Sequence, residues 1–249
     1  MVVAFVLVGL LFVAAPASAL DWRPDVDGAR AYAGKRRGSV SFAVRVDGRL
    51  YGWRTQRTVP AASVMKAMFM VAYLNHPSVR GRSLRHADMA LLRPMITRSD
   101  NATATRIRNY VGDRRLRALA RKVGMRRFSV APVWGMSRVN AADQSRFFLG
   151  IDSYVVPRHR ARALKLLASV VPSQRWGVAR VAPSGWELYF KGGWGSGSGA
   201  VDHQVALLRR GSDRVALAVM TTGNGTHAYG KETLRGVAKR LLRGLAGAR

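Results

Sequence analysis

The sequence predicts an α+β fold: an α/β sandwich whose antiparallel sheet is assembled from both chain ends, plus an all-helical lobe inserted between them. Three observations point there. Segments rich in β-branched and aromatic residues lie at 39–53 and again at 186–221, residues 83–169 read as helical, and an amphipathic helix closes the chain. Strands, helices, strands, helix is the element order of such a layered domain. The 249 residues suit one large domain or two interleaved lobes, with ample material for a buried core. We place residues 20–62 and 172–249 in the α/β part and 63–171 in the helical part.

Taken in order, residues 1–19 are apolar, carry no charged side chain and end in Ala17-Ser18-Ala19. This is the pattern of a secretory signal peptide cleaved before Leu20. The basic n-region of such a peptide is absent, so retention as an N-terminal anchor is the alternative. After a short basic lead, 39–46 and 49–53 read as strands joined at Asp47-Gly48, a strong hairpin signal. Residues 63–74 have helix-forming composition, no breaker before Pro77, and apolar residues nearly all round. They predict a buried central helix with Ser63 at its N-terminal end.

Residues 102–110 and 114–123 are two further helix candidates. Asn140 reads as an N-cap with Asp143 at the third helical position, and Pro157 suits the first turn of a helix running to about Val171. Residues 186–190, 201–209 and 214–221 then read as strands separated by glycine-containing turns. The last helix, 228–245, carries one apolar stripe of Leu234, Val237, Ala238, Leu241, Leu242 and Leu245.

Composition narrows the function classes. There is no cysteine, which excludes disulfides and thiolate chemistry. The five histidines show no metal-ligand spacing, so no metal and no other cofactor is expected. Forty-two Lys and Arg against 13 Asp and Glu give a net charge of +29, none of it in residues 1–19. Such a surface attracts anionic polymers of the cell envelope or anionic lipid headgroups. Nucleic acid is a poor partner for an exported chain without a nucleic-acid motif. The expected state is an extracytoplasmic monomer.

Three short motifs carry the chemistry. Ser63 and Lys66, three residues apart on a helix, share a face and can touch. A hydroxyl at a helix start has free N–H groups and the positive dipole end nearby, and a desolvated lysine can act as its base. Ser99-Asp100-Asn101 falls between two helical segments and supplies a second hydroxyl and an amide. Helix capping alone would explain that triplet in isolation. Lys191-Gly192-Gly193-Trp194 ends a predicted strand, its glycines permitting close backbone approach to a ligand.

In this order, and on these elements, the motifs resemble those of the serine β-lactamase and penicillin-binding protein superfamily, most nearly its class A-like branch. The resemblance extends over nearly all of the chain after residue 19. It implies a β-lactamase/transpeptidase-like fold and acylation of Ser63 by a β-lactam or a peptidoglycan-type D-amino acid peptide. Lys66 would take the Ser63 proton, and Ser99, helped by Lys191, would pass a proton to the leaving nitrogen. Asn101 would bind the substrate's side-chain amide, Asp100 would be a structural cap, and the backbone N–H groups of Ser63 and Trp194 would form the oxyanion hole. Gly193 completes the strand edge on the substrate side.

The chain departs from the class A pattern twice. Its only glutamates are Glu187 and Glu232, so the loop glutamate that activates the deacylating water has no counterpart. Residues 124–139, in that region, hold no carboxylate, and the nearby acids are Asp113, Asp143 and Asp152. The Thr or Ser that normally follows the strand lysine is Gly192, which removes a hydroxyl for the substrate carboxylate; Ser196 or Ser198 could substitute. The leading expectation is an acyl-enzyme former with slow deacylation. The alternatives are a true β-lactamase with a non-standard base and a non-catalytic cell-wall-binding protein.

Overall fold

A computed structural model of the protein describes residues 20–195 and 201–248. The expected leader at 1–19, and Ser196 and Ser198, lie outside the described residues.

The chain enters through helix α1 (Val26–Gly34), which sequence reading passed over as a basic lead. Asp25 caps it, accepting the Gly28 N–H at 2.8 Å, and Ala29 and Ala33 bury its inner face. Strands β1 (Ser39–Val46) and β2 (Arg49–Trp53) follow as a hairpin. Both turn residues, Asp47 and Gly48, have positive φ (47° and 74°), as a two-residue hairpin turn requires. A two-residue strand β3 (Val59–Pro60) then precedes the 3-10 turn Ala62–Val64 and helix α2 (Met65–Leu74). Every residue of α2 is buried, as its all-round apolar sequence predicts.

Helices α3 (Pro77–Arg80), α4 (His86–Thr97) and α5 (Asn101–Val123) build the helical lobe. α5 is one element broken at Gly112, where φ 73° and ψ 159° interrupt the helix. This accounts for the two helices expected at 102–110 and 114–123. Strand β4 (Arg138–Val139) pairs antiparallel with β3 and ties the loop before it to the segment leading to Ser63. Helix α6 (Ala141–Leu149) is capped by Asn140, whose Oδ1 accepts the Asp143 N–H at 2.7 Å, and α7 (Arg160–Ala168) follows the Pro157 turn.

Strands β5 (Glu187–Gly195), β6 (Val201–Arg210) and β7 (Asp213–Thr222) complete a five-stranded antiparallel sheet in the order β2-β1-β7-β6-β5. β1 from the chain start thus pairs with β7 from its end, as the two-ended reading predicts. Helix α8 (His227–Leu241) closes the chain, with a 3-10 turn at Leu245–Gly247 where sequence reading extended the helix. The regular helix ends at Leu241, and Gly244, at φ 78°, turns the chain by a left-handed step into Leu245–Gly247.

The sheet separates two apolar cores. Val40, Phe42, Val44, Leu217 and Val219 pack with α1 and α8, whereas Ala43, Val205, Ala218 and Met220 pack with α2 and the helical lobe. This is the period-two alternation of a sheet buried on both faces. No helix among the described residues is long and apolar enough to cross a membrane.

Candidate active site

The site forms where α2, the α4–α5 junction and β5 meet. Ser63 sits in the 3-10 turn just before α2 rather than in the α-helix itself. The spacing of three survives, because positions i and i+3 eclipse in a 3-10 turn. Lys66 Nζ lies 2.9 Å from Ser63 Oγ. Ala62, the residue before Ser63, has φ 45°, a left-handed conformation costly for a residue with a Cβ. Such strain is held by the surrounding structure and concentrates at functional sites.

Ser99 also adopts a left-handed conformation, at φ 59°. It is fixed from both sides: Asp100 N–H donates to the Pro94 carbonyl at 3.1 Å, and the Ser99 carbonyl accepts from Lys66 Nζ. Asp100 caps α5, accepting the Thr103 N–H and hydroxyl at 2.7 Å each, so its carboxylate faces protein.

The two lysines are the electrostatic centre. Both are fully buried, and neither takes part in an ion pair among the described residues. Lys191 Nζ donates to the Gly192 carbonyl at 2.7 Å and to Ser99 Oγ at 3.0 Å. Ser99 Oγ therefore bridges the lysines, lying 3.2 Å from Lys66 Nζ. Burial lowers Lys66 to about 7, opposed by the Asp100 charge. Burial, aided by Lys66, holds Lys191 well below the usual lysine range.

The contacts of Lys66 are compatible with a base role. Its nitrogen meets four groups: Ser63 Oγ, Ser99 Oγ, the Ser99 carbonyl and Asn101 Oδ1, the last at 2.7 Å. The two carbonyl oxygens only accept. A neutral amine therefore spends its two N–H bonds on them and turns its lone pair to the hydroxyls. That is the arrangement of a base facing Ser63.

β5 contributes by close approach. A Cβ on Gly193 would lie 2.9 Å from Ser63 N and 2.8 Å from Val64 N, closer than any side chain tolerates. Only glycine lets the strand backbone meet the nucleophile turn, and it presents Trp194 beside Ser63. Together these residues open on a cavity of about 500 Å³ lined by Ser63, Asn101, Trp134, Met136 and Trp194, among others. Of the residues expected at the site, Ser63, Lys66, Ser99, Asn101 and Lys191 form one hydrogen-bonded cluster, with Gly193 and Trp194 along its edge.

Sequence reading missed Trp134. It opens a 3-10 turn within the carboxylate-free loop. Its ring stands with the centroid 5.1 Å from Lys66 Nζ and packs edge-on against Phe69, and its indole N–H donates to Thr105 Oγ1 at 3.1 Å. The signal available was the loop's lack of acids, but nothing in the sequence aims this indole at Lys66. The three nearby acids are occupied elsewhere. Asp143 is buried and accepts from the backbone N–H groups of Arg126 and Arg127 and from Asn140 Nδ2. Asp113 pairs with Arg108 at 2.8 Å, and Asp152 with Arg214 at 2.5 Å.

A buried lysine against a serine, a second serine bridging to a second buried lysine, and a glycine-edged strand over the nucleophile define the machinery of a β-lactamase-type serine hydrolase. Comparison places the chain more closely. A model of the β-lactamase enzyme family matches residues 88–245, and the chain belongs to that family. The match covers the second and third motifs; the fold brings Ser63 and Lys66 to them. No curated protein matches the sequence.

Among solved structures, a β-lactamase from Sphaerobacter thermophilus superimposes with a TM-score of 0.75 at 18% identity, over 89% of this chain and 97% of that one. A β-lactamase from Xanthomonas campestris gives 0.75 at 17%, over 90% and 99%. An ancestral class A β-lactamase gives 0.73 at 16%, over 88% and 98%. At these identities the likeness establishes the class A fold.

Proposed function

We propose that the protein is an exported acyl-enzyme former that attaches β-lactams or peptidoglycan-type D-amino acid peptides to Ser63 and releases them slowly. The observation that carries this reading is the position of Trp134. An apolar indole, not a carboxylate, borders Lys66 on the cavity side, and Asp113, Asp143 and Asp152 are all held elsewhere.

In the forward step, neutral Lys66 takes the Ser63 proton as Oγ attacks the substrate carbonyl. The N–H groups of Ser63 and Trp194 receive the developing oxyanion. Ser99 then hands a proton to the leaving nitrogen, replenished from Lys66, while Lys191 holds the Ser99 hydroxyl in place. Lys191, buried with no carboxylate partner among the described residues, favours a substrate that brings its own anion, as β-lactams and C-terminal D-amino acids do. Deacylation then relies on Lys66 and Ser99 alone. The apolar leader-like segment at 1–19 supports export, and the net charge of +29 supports residence against an anionic envelope polymer.

The test is intact-mass spectrometry of the protein mixed with a penicillin over minutes to hours, beside Ser63→Ala. A lasting adduct on the unaltered protein, absent from the variant, is the expected result. Rapid drug hydrolysis with a vanishing adduct would instead make it a working β-lactamase with another base. No adduct with a penicillin or a D-amino acid peptide would leave wall binding as the activity.

A further inference from the structure

Behind Trp194 lies a buried polar cluster that the acylation chemistry does not use. Asp202 on β6 sits opposite Trp194 in the sheet register, and its side chain is 1% exposed. No lysine or arginine pairs with it among the described residues; His227, the first residue of α8, does, with Nδ1 2.5 Å from Asp202 Oδ1. Asn224 Nδ2 donates to the other carboxylate oxygen at 2.9 Å, while Asn224 Oδ1 is buried without a partner. Burial pushes the Asp202 carboxyl up against the pull of these bonds. Gly230 makes the space, since a Cβ there would fall 1.9 Å from Asp202 Oδ2.

A buried carboxylate with one imidazole is expensive to keep unless it orients that imidazole. The orientation is specific. Nδ1 is committed inward to Asp202, the His227 side chain is 40% exposed, and Nε2 makes no hydrogen bond among the described residues. The ring stacks on Trp194 at 5.7 Å and 29° and stands edge-on to Trp176 at 5.3 Å. Trp194 lines the cavity that holds Ser63. Trp176 also packs against Gly192, where a Cβ would lie 3.3 Å from its ring. The cluster therefore borders the strand edge that lacks a hydroxyl after Lys191.

We propose that His227, held by Asp202, is the substrate-carboxylate recognition group of this site, replacing the hydroxyl absent at Gly192. Nε2 donates to the carboxylate, and Asp202 is a positioning residue that accepts from Nδ1 and fixes the tautomer. The inference rests on the acylation reading above, because it names a group on that substrate.

The experiment measures the acylation rate of Ser63 by a penicillin free acid and by its methyl ester, in the unaltered protein, His227→Ala, His227→Gln and Asp202→Asn. The unaltered protein prefers the acid. His227→Ala loses about tenfold to a hundredfold of that preference, the worth of one charge-assisted hydrogen bond. His227→Gln retains part of it, and Asp202→Asn falls between. The effect is expected in the concentration for half-maximal acylation rather than in the limiting rate. A purely structural role for His227 lowers both substrates alike and leaves the ratio unchanged, and that result overturns the proposal. Ser63 that takes up neither substrate in the unaltered protein removes the acylation reading itself, and this inference with it.

Discussion

The two walls of the Ser63 cavity are built on opposite principles. The wall formed by α2, the α4–α5 junction and β5 is polar, buried and fully cross-bonded: Ser63, Lys66, Ser99, Asn101 and Lys191 share one network. The facing wall, from the loop before α6, presents Trp134 and Met136 and no acid. On the proposed function, the first wall forms the ester on Ser63 and the second offers no carboxylate to activate the water that would break it. Acylation and deacylation would then be separable parts of one fold, with Trp134 standing on the deacylation side.

The largest effect that would break this comparison comes from the polar wall. Replacing Lys66 by Met should lower the acylation rate about 10²–10⁴-fold, the usual contribution of a general base, measured as adduct formation by mass spectrometry. The sign of the pH dependence follows from the same residue. Lys66 accepts the Ser63 proton only when neutral, and burial places its titration near 7, so acylation should rise as pH increases through about 7 and then level. A rate that falls across that interval would falsify Lys66 as the base.

Next comes Gly193→Val. Its Cβ cannot be accommodated 2.8–2.9 Å from two backbone nitrogens, so β5 must withdraw from Ser63. Loss of an oxyanion donor costs about 10²–10³ in rate, and acylation should fall by that order while circular dichroism stays native. An active variant would mean that the strand edge does not serve the oxyanion.

On the apolar wall, Trp134→Glu sharpens the contrast. A carboxylate beside Lys66 should shorten the life of the acyl-enzyme at least about tenfold, less than a fully positioned base delivers. The time course of adduct loss is the measurement. An unchanged lifetime would mean that water access, rather than the missing base, limits release.

The smallest effect is expected at Asp143. Its carboxylate holds two backbone N–H groups and Asn140, so Asp143→Ala should cost about 1–3 kcal/mol of stability. That corresponds to a lower Tm of roughly 2–4 °C per kcal/mol for a chain of this size. The acyl-enzyme lifetime should not change. Slower release in this variant would identify Asp143 as the missing base after all.

The reading of elements succeeded where the signal was local. Asp47-Gly48, the Asn140 cap, the apolar 63–74 segment and the α8 stripe each encode their structure within a few residues. It failed at α1, where a short helix with a polar outer face has little periodicity, and at β3 and β4, whose two-residue pairing depends wholly on a distant partner. It overran α8, because the helix ends at Leu241 and the chain turns through Gly244 while the apolar pattern continues to Leu245.

The same division holds at the site. Residue types and spacings, with the family resemblance they carry, singled out Ser63, Lys66, Ser99 and Lys191 as candidates and showed that residues 124–139 hold no carboxylate. These are properties of short segments whose helix or strand state follows from the chain nearby. Tertiary structure decided what those segments face: that Ser99 bridges two buried lysines, that Trp134 stands over Lys66, and that Asp202 aims His227 along Trp194. Each of these contacts joins residues at least 25 positions apart. Their geometry follows from how the sheet and the helical lobe pack, and no local pattern records it.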